Sequence, residues 1–205
     1  AYDETETSGT FEATGGTVSY TVLEDGTIAI TDCEDTVTEV TIPDTIDGKN
    51  VTSLGTSGSD GFTNKTALTS VVLPAHLNKI FALGGCTNLT NVDFSACTEQ
   101  LSIEPSAFRG DTNLTSVTLP ATVTGIGDYA FSDCSGLTNI DFSACVEDMT
   151  ISENAFYMDK ALTSVVLPAG LTTLGKQAFA YCEGLTSVDF SACTKLTSIG
   201  AQAFI

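Results

Sequence analysis

The sequence predicts an α/β-type solenoid: about seven stacked coils with a parallel β-sheet on one face and short helical turns and loops on the other. Three observations predict it. The segment Asp-Phe-Ser-Ala-Cys starts at Asp93, Asp141 and Asp189, 48 residues apart each time. A unit of one apolar, two polar, one apolar, one polar and one apolar residue begins at Val37, Leu68, Leu89, Leu114, Leu137, Leu162 and Leu185. An Ala-Phe pair recurs, ending at Phe108, Phe131, Phe156, Phe179 and Phe204. Units of this length cannot bury an apolar face alone, so they must stack on one another.

Residues 1–17 are read as a leader or linker, because their start is acidic, Thr-rich and unpatterned. Residues 18–36 then form a cap. Val18, Tyr20 and Val22 alternate with polar residues, Leu23-Glu24-Asp25-Gly26 supplies a turn, and Ile28 and Ile30 alternate again, which predicts a β-hairpin. Residues 37–205 form the coils. Period-two spacing inside each unit predicts a short strand, and near-equal steps place these strands side by side in parallel.

Successive steps are 31, 21, 25, 23, 25 and 23 residues, so the 48-residue period is a pair of unlike coils. The long first step holds an insertion at Gly55–Gly61, rich in Gly and Ser, which predicts an exposed loop. One coil type leaves its strand through Pro (Pro43, Pro74, Pro120, Pro168), whose missing N–H ends ladder pairing. The other leaves through Asp-Phe-Ser-Ala-Cys. Each coil then crosses the back through text such as Ile126-Gly127-Asp128-Tyr129-Ala130-Phe131, expected to be a short helical turn whose Phe fills the core.

Composition narrows the function. The chain carries 26 acidic and 7 basic residues, a formal charge of −19, which repels nucleic acid and anionic lipid. No apolar run approaches the roughly 20 residues that span a bilayer, so no membrane insertion is expected. The chain opens on Ala1 without a signal-peptide pattern and reads as a mature or trimmed start. It stops at Ala203-Phe204-Ile205, where another strand is due, which predicts a longer native chain or an end-to-end self-contact over that open coil.

The pattern Leu-Thr-Ser-Val-x-Leu-Pro…Ile-Gly-x-x-Ala-Phe-x-x-Cys-x-x-Leu, fullest in 114–137 and 162–185, resembles the bacterial BspA-like leucine-rich repeat family. So does the stretch Ile42-Pro43-Asp44-Thr45-Ile46-Asp47-Gly48-Lys49-Asn50-Val51. The resemblance implies a right-handed leucine-rich repeat solenoid. It also implies a secreted or cell-surface protein that binds other proteins, host extracellular matrix proteins among them, with no catalytic residues and no cofactor.

The seven cysteines fall into two columns, Cys97, Cys145 and Cys193 after the strand and Cys86, Cys134 and Cys182 before it, with Cys33 in the cap. Column members lie two coils, about 9.5 Å, apart, and a disulfide needs Cα atoms within about 7 Å. Free, mostly buried thiols are therefore expected. Lys65, Asp111 and Asp159 occupy the intervening coils of the second column.

His76 is the sole histidine, and its equivalents are Thr122 and Gly170, so it anchors no catalytic constellation. Metal-ligand spacings are absent. The candidate ligand-facing residues are Asp93, Asp141 and Asp189, with Asn91 and Asn139, at outward positions of the strands. The Asp column could receive spaced Lys or Arg from a partner. The competing explanation is that these acids keep an exposed sheet soluble. The functional expectation is a non-enzymatic adhesion or protein-recognition domain. The alternatives are a structural spacer and an accessory module of a carbohydrate-active protein. A joint surface cluster of Tyr129, Tyr157 and Tyr181 would favour the last.

Overall fold

A computed structural model of the chain describes residues 7–57 and 61–205. The cap is a three-stranded antiparallel meander of β1 (Ser8–Ala13), β2 (Gly16–Val22) and β3 (Ile28–Cys33). The expected hairpin is β2–β3. Leu23 N–H donates to Thr27 O at 2.8 Å, and Asp25 Oδ1 accepts from both the amide and the hydroxyl of Thr27. The leader expected over residues 1–17 is instead part of the cap from Ser8 onward: Ser8–Ala13 is a strand, paired to β2 across Thr14-Gly15, with Gly15 at φ 94°. Phe11 and Ala13 pack on the core from β1, an alternation too brief to stand out in Thr- and Glu-rich text. Residues 1–6 of that leader lie outside the described residues.

The seven apolar-patterned units are short parallel strands, as expected: β4 (Glu39–Thr41), β7 (Ser70–Val72), β9 (Asn91–Asp93), β11 (Ser116–Thr118), β13 (Asn139–Asp141), β15 (Ser164–Val166) and β17 (Ser187–Asp189). They do not make one sheet. β4, β7 and β9 pair, then β11 with β13, then β15 with β17.

The continuous sheet runs along a second side of the coils. It joins β3 to β6 (Lys49–Leu54), β8 (Lys79–Ile80), β10 (Leu101–Ile103), β12 (Val123–Ile126), β14 (Met149–Ile151), β16 (Leu171–Leu174) and β18 (Ser198–Ile199) in one parallel series. The cap feeds directly into it, so the solenoid's first apolar edge is covered by β2 and β1. β5 (Thr45–Ile46) folds back on β6 through Asp47-Gly48, both in the left-handed region that a two-residue hairpin demands. Gly55 and Gly61, expected in an exposed loop, are buried. A Cβ on Gly61 would meet that of Ala82 at 2.6 Å, while residues 58–60 between them lie outside the described residues.

The back of each coil is a turn and not a helix; none of the described residues is helical. Two left-handed residues flank Ala-Phe in the complete coils, for example Tyr129 (φ 57°) and Asp133 (φ 63°), or Asn154 (φ 56°) and Met158 (φ 64°). Left-handed backbone costs a side-chain-bearing residue roughly 1–2 kcal/mol and cannot continue a helix. What holds it is bonding between coils. Phe108, Phe131, Phe156 and Phe179 each donate their amide to the Ala carbonyl of the next coil, at 2.7–2.8 Å.

Inside, the expected Phe layer is a stack. Phe108, Phe131, Phe156, Phe179 and Phe204 lie face to face, with centroids 4.8–5.5 Å apart and planes within 3° of parallel. Phe142 and Phe190, from the Asp-Phe-Ser-Ala-Cys exits, meet the stack edge-on.

Candidate functional site: the short-strand face and its exit rim

The outward positions of the short strands carry Asn91, Ser116, Asn139, Ser164 and Ser187 in one row, all exposed, and Asp93, Thr118, Asp141, Val166 and Asp189 in the next. Each Asp also closes its own turn. Asp93, Asp141 and Asp189 accept, through Oδ1, the amides of Ser95, Ser143 and Ser191 at 2.7–2.8 Å. These bonds hold the carboxyls of Asp93 and Asp189 below the ordinary carboxylate range. Asp93 and Asp189 are therefore ionised, and every Asp of the column has a structural task besides any contact with a partner. It is the side-chain turn that lets an Asp end a strand without Pro.

The two exits differ in length, and that difference shapes the rim. Residues 94–100 and 142–148 join β9 to β10 and β13 to β14, whereas 119–122 and 167–170 suffice after β11 and β15. The short-strand sheet breaks where a long exit precedes a short one, between β9 and β11 and between β13 and β15. At each break lies a cleft. The first, about 520 Å³, is lined by Asp93, Ser95 and Ala144 around Leu119-Pro120-Ala121. The second, about 290 Å³, is lined by Asp141, Ser143 and Ala192 around Leu167-Pro168-Ala169. The long exits stand as ridges, and the Pro exits form the floors between them.

All seven cysteines are free, six of them buried. The rim column links coils: Cys97, Cys145 and Cys193 direct their thiols to the carbonyls of Pro74, Pro120 and Pro168 one coil back, at 3.5–3.7 Å. In the second column Cys86, Cys134 and Cys182 donate to Phe62, Phe108 and Phe156 carbonyls at 3.0 Å. Burial pushes the Cys97 and Cys182 thiols up to about 12, so they are inert at neutral pH.

Asp111 and Asp159 alternate with those cysteines and are fully buried. Their Oδ1 atoms accept the amides of Cys86 and Cys134 at 2.9 Å, and their Oδ2 atoms have no partner. Desolvation pushes Asp111 up to about 9 and Asp159 well above its ordinary value. Both are neutral structural groups. Their place between the cysteines was visible in the sequence, but nothing in the local text marked them as buried.

The three tyrosines do not form one platform. Tyr157 and Tyr181 meet edge to face at 5.2 Å, while Tyr129 lies under the Arg109 guanidinium at 5.4 Å. His76 is part-exposed, 3.5 Å from Glu99. Among the described residues no group of three or more His, Cys, Asp or Glu is placed to hold a metal ion, and no helix is long and apolar enough to cross a membrane.

Comparison with known proteins follows the same lines. Several solved structures share the fold. A T. pallidum leucine-rich repeat protein is 23% identical over 94% of this chain and 86% of its own, with a TM-score of 0.70. A leucine-rich cell surface protein of Faecalibacterium prausnitzii is 24% identical over 95% of this chain and 51% of its own (TM-score 0.57). The pneumococcal vaccine antigen PcpA is 22% identical over 88% of this chain and 48% of its own (TM-score 0.59). No curated protein sequence matches. The family described as the BspA type leucine rich repeat region matches in six copies, over residues 55–157 and 81–205. Six matched copies on a solenoid of this architecture place the chain in the BspA-type leucine-rich repeat family.

Proposed function

We propose that the chain is a non-enzymatic recognition domain of a bacterial surface or secreted protein, and that it binds a protein partner through the short-strand face. Repeat proteins of this type are in general interaction or scaffold modules. One observation supports the finer reading. The continuous sheet and the back turns have their backbone bonds spent between coils, whereas the short-strand side is interrupted by clefts rimmed with exposed polar residues. Surface localisation is supported by two fold relatives, one described as a cell surface protein and the other as a vaccine antigen.

The domain, immobilised and presented with purified host extracellular matrix proteins and in parallel with a glycan array, tests this. Saturable protein binding that is lost on altering the short-strand face is expected. Binding only to glycans would favour the carbohydrate-module reading, for which the Tyr157–Tyr181 pair is the one observation. No binding in either would favour a spacer.

A further inference from the structure

We propose that the exit rim of the short-strand face binds an extended polyproline II segment carrying Lys or Arg at every third residue. This deepens, and rests on, the reading of that face as a protein-binding surface. The two clefts occupy the same place in successive coil pairs. Their separation is set by the unbroken ladder of β10, β12, β14 and β16 beneath them. At parallel-strand spacing, two coils advance about 9.5 Å. A polyproline II helix has three residues per turn and rises about 3.1 Å per residue, so residues i and i+3 recur on one side every 9.3 Å or so. An extended β-strand repeats its side every 6.7 Å or so and falls out of step by the second cleft.

The chemistry of the clefts selects the side chain. Each floor is Leu-Pro-Ala, suited to an aliphatic stem, and each mouth carries an Asp, Asp93 or Asp141, suited to a cationic head. The ridges add Glu99 on the first and Glu147 and Asp148 on the second, all exposed. Asp148 is already engaged by Lys195 at 2.7 Å and Glu99 lies 3.5 Å from His76, while Glu147 is exposed and Asp93 and Asp141 are half-buried at the cleft mouths. The pitch matches a ligand's backbone, and the floor and mouth match its side chain.

The test uses two fluorescent synthetic peptides of equal composition, five Pro-Pro-Lys triplets and an isomer with its lysines in one block, titrated by anisotropy at physiological salt. The triplet peptide is expected to bind about tenfold tighter than the isomer. Two variants should abolish that preference. Asp93→Asn with Asp141→Asn and Asp189→Asn removes charge but keeps an oxygen for the Ser95, Ser143 and Ser191 amides. Ala121→Trp, at an exposed position, fills the first cleft. Circular dichroism melts confirm that both variants fold. Equal binding of the two peptides, as plain attraction to a chain of charge −19 would give, overturns the proposal. So does a preference that survives both variants, or no binding at all. If neither peptide binds while a matrix protein still does, this inference falls and the recognition function stands.

Discussion

Replacing Asp111 by Asn should flatten part of the pH dependence of stability. Asp111 is fully buried, Oδ1 accepts the Cys86 amide at 2.9 Å, and Oδ2 has no partner to compensate a negative charge. Burial raises the folded carboxyl to about 9, against an unfolded value near 3.8. The folded state thus keeps a proton that the unfolded state has released. Stability from this group is complete below the unfolded value and declines as pH rises, until the folded group itself ionises near 9. One such proton changes stability by about 1.4 kcal/mol per pH unit, so about 4 kcal/mol is lost between roughly pH 5.5 and pH 8.5. Asn offers the same acceptor and is neutral throughout. Urea unfolding midpoints across that window should therefore fall more gently for Asp111→Asn than for the wild type. Adding Asp159→Asn, whose carboxyl burial also raises, should flatten the profile further. The buried thiols, raised by folding from an ordinary value of 9.0, add to the fall at the top of that window, but equally in both proteins, so the difference between the two profiles reports Asp111. A variant whose profile runs parallel to the wild type, or that is less stable at pH 8, would refute the neutral-carboxyl argument.

Other predictions test the remaining links between sequence and fold. Phe156→Ala, in the middle of the stack, should cost about 3–5 kcal/mol by urea unfolding, and Phe204→Ala, half-exposed at its end, clearly less. Asp141→Ala should cost about 1 kcal/mol through the lost Ser143 bond, while Asp141→Asn is close to neutral; equal costs would mean that charge, not the turn, is what matters. Ellman titration of the denatured, unreduced protein should find close to seven thiols, and in the native protein Cys193, the one half-exposed cysteine, should react first.

The coil count, the short strands, the pairing of unlike coils, the hairpin β2–β3 and the inward Phe column were all legible in the sequence. Each follows from local spacing, because period-two alternation and a repeated large-beside-small pair leave a mark within a few residues. The outward placement of Asp93, Asp141 and Asp189 was legible for the same reason. What was not legible has a common cause. The second sheet is built from strands of two to four residues in its later coils, such as Lys79–Ile80 and Leu101–Ile103, too short to show a period of their own. Ile126-Gly127-Asp128-Tyr129-Ala130-Phe131 reads as a compact turn, and only the amides of neighbouring coils decide that it is held across the stack and not along the chain.

The sequence by itself determined that this chain stacks, how often, and which residues face inward, since those are properties of a repeat read against its own period. Tertiary structure alone decided which of the repeated segments pair into a continuous sheet. It also placed two aspartates in the interior as neutral groups and opened the clefts where a long exit precedes a short one. The physical reason is that hydrogen bonds between neighbouring coils join residues 20 to 31 positions apart in this chain, as from Phe62 to Ala82, Cys134 to Phe108 or Thr69 to Thr38. No local window of sequence contains both partners.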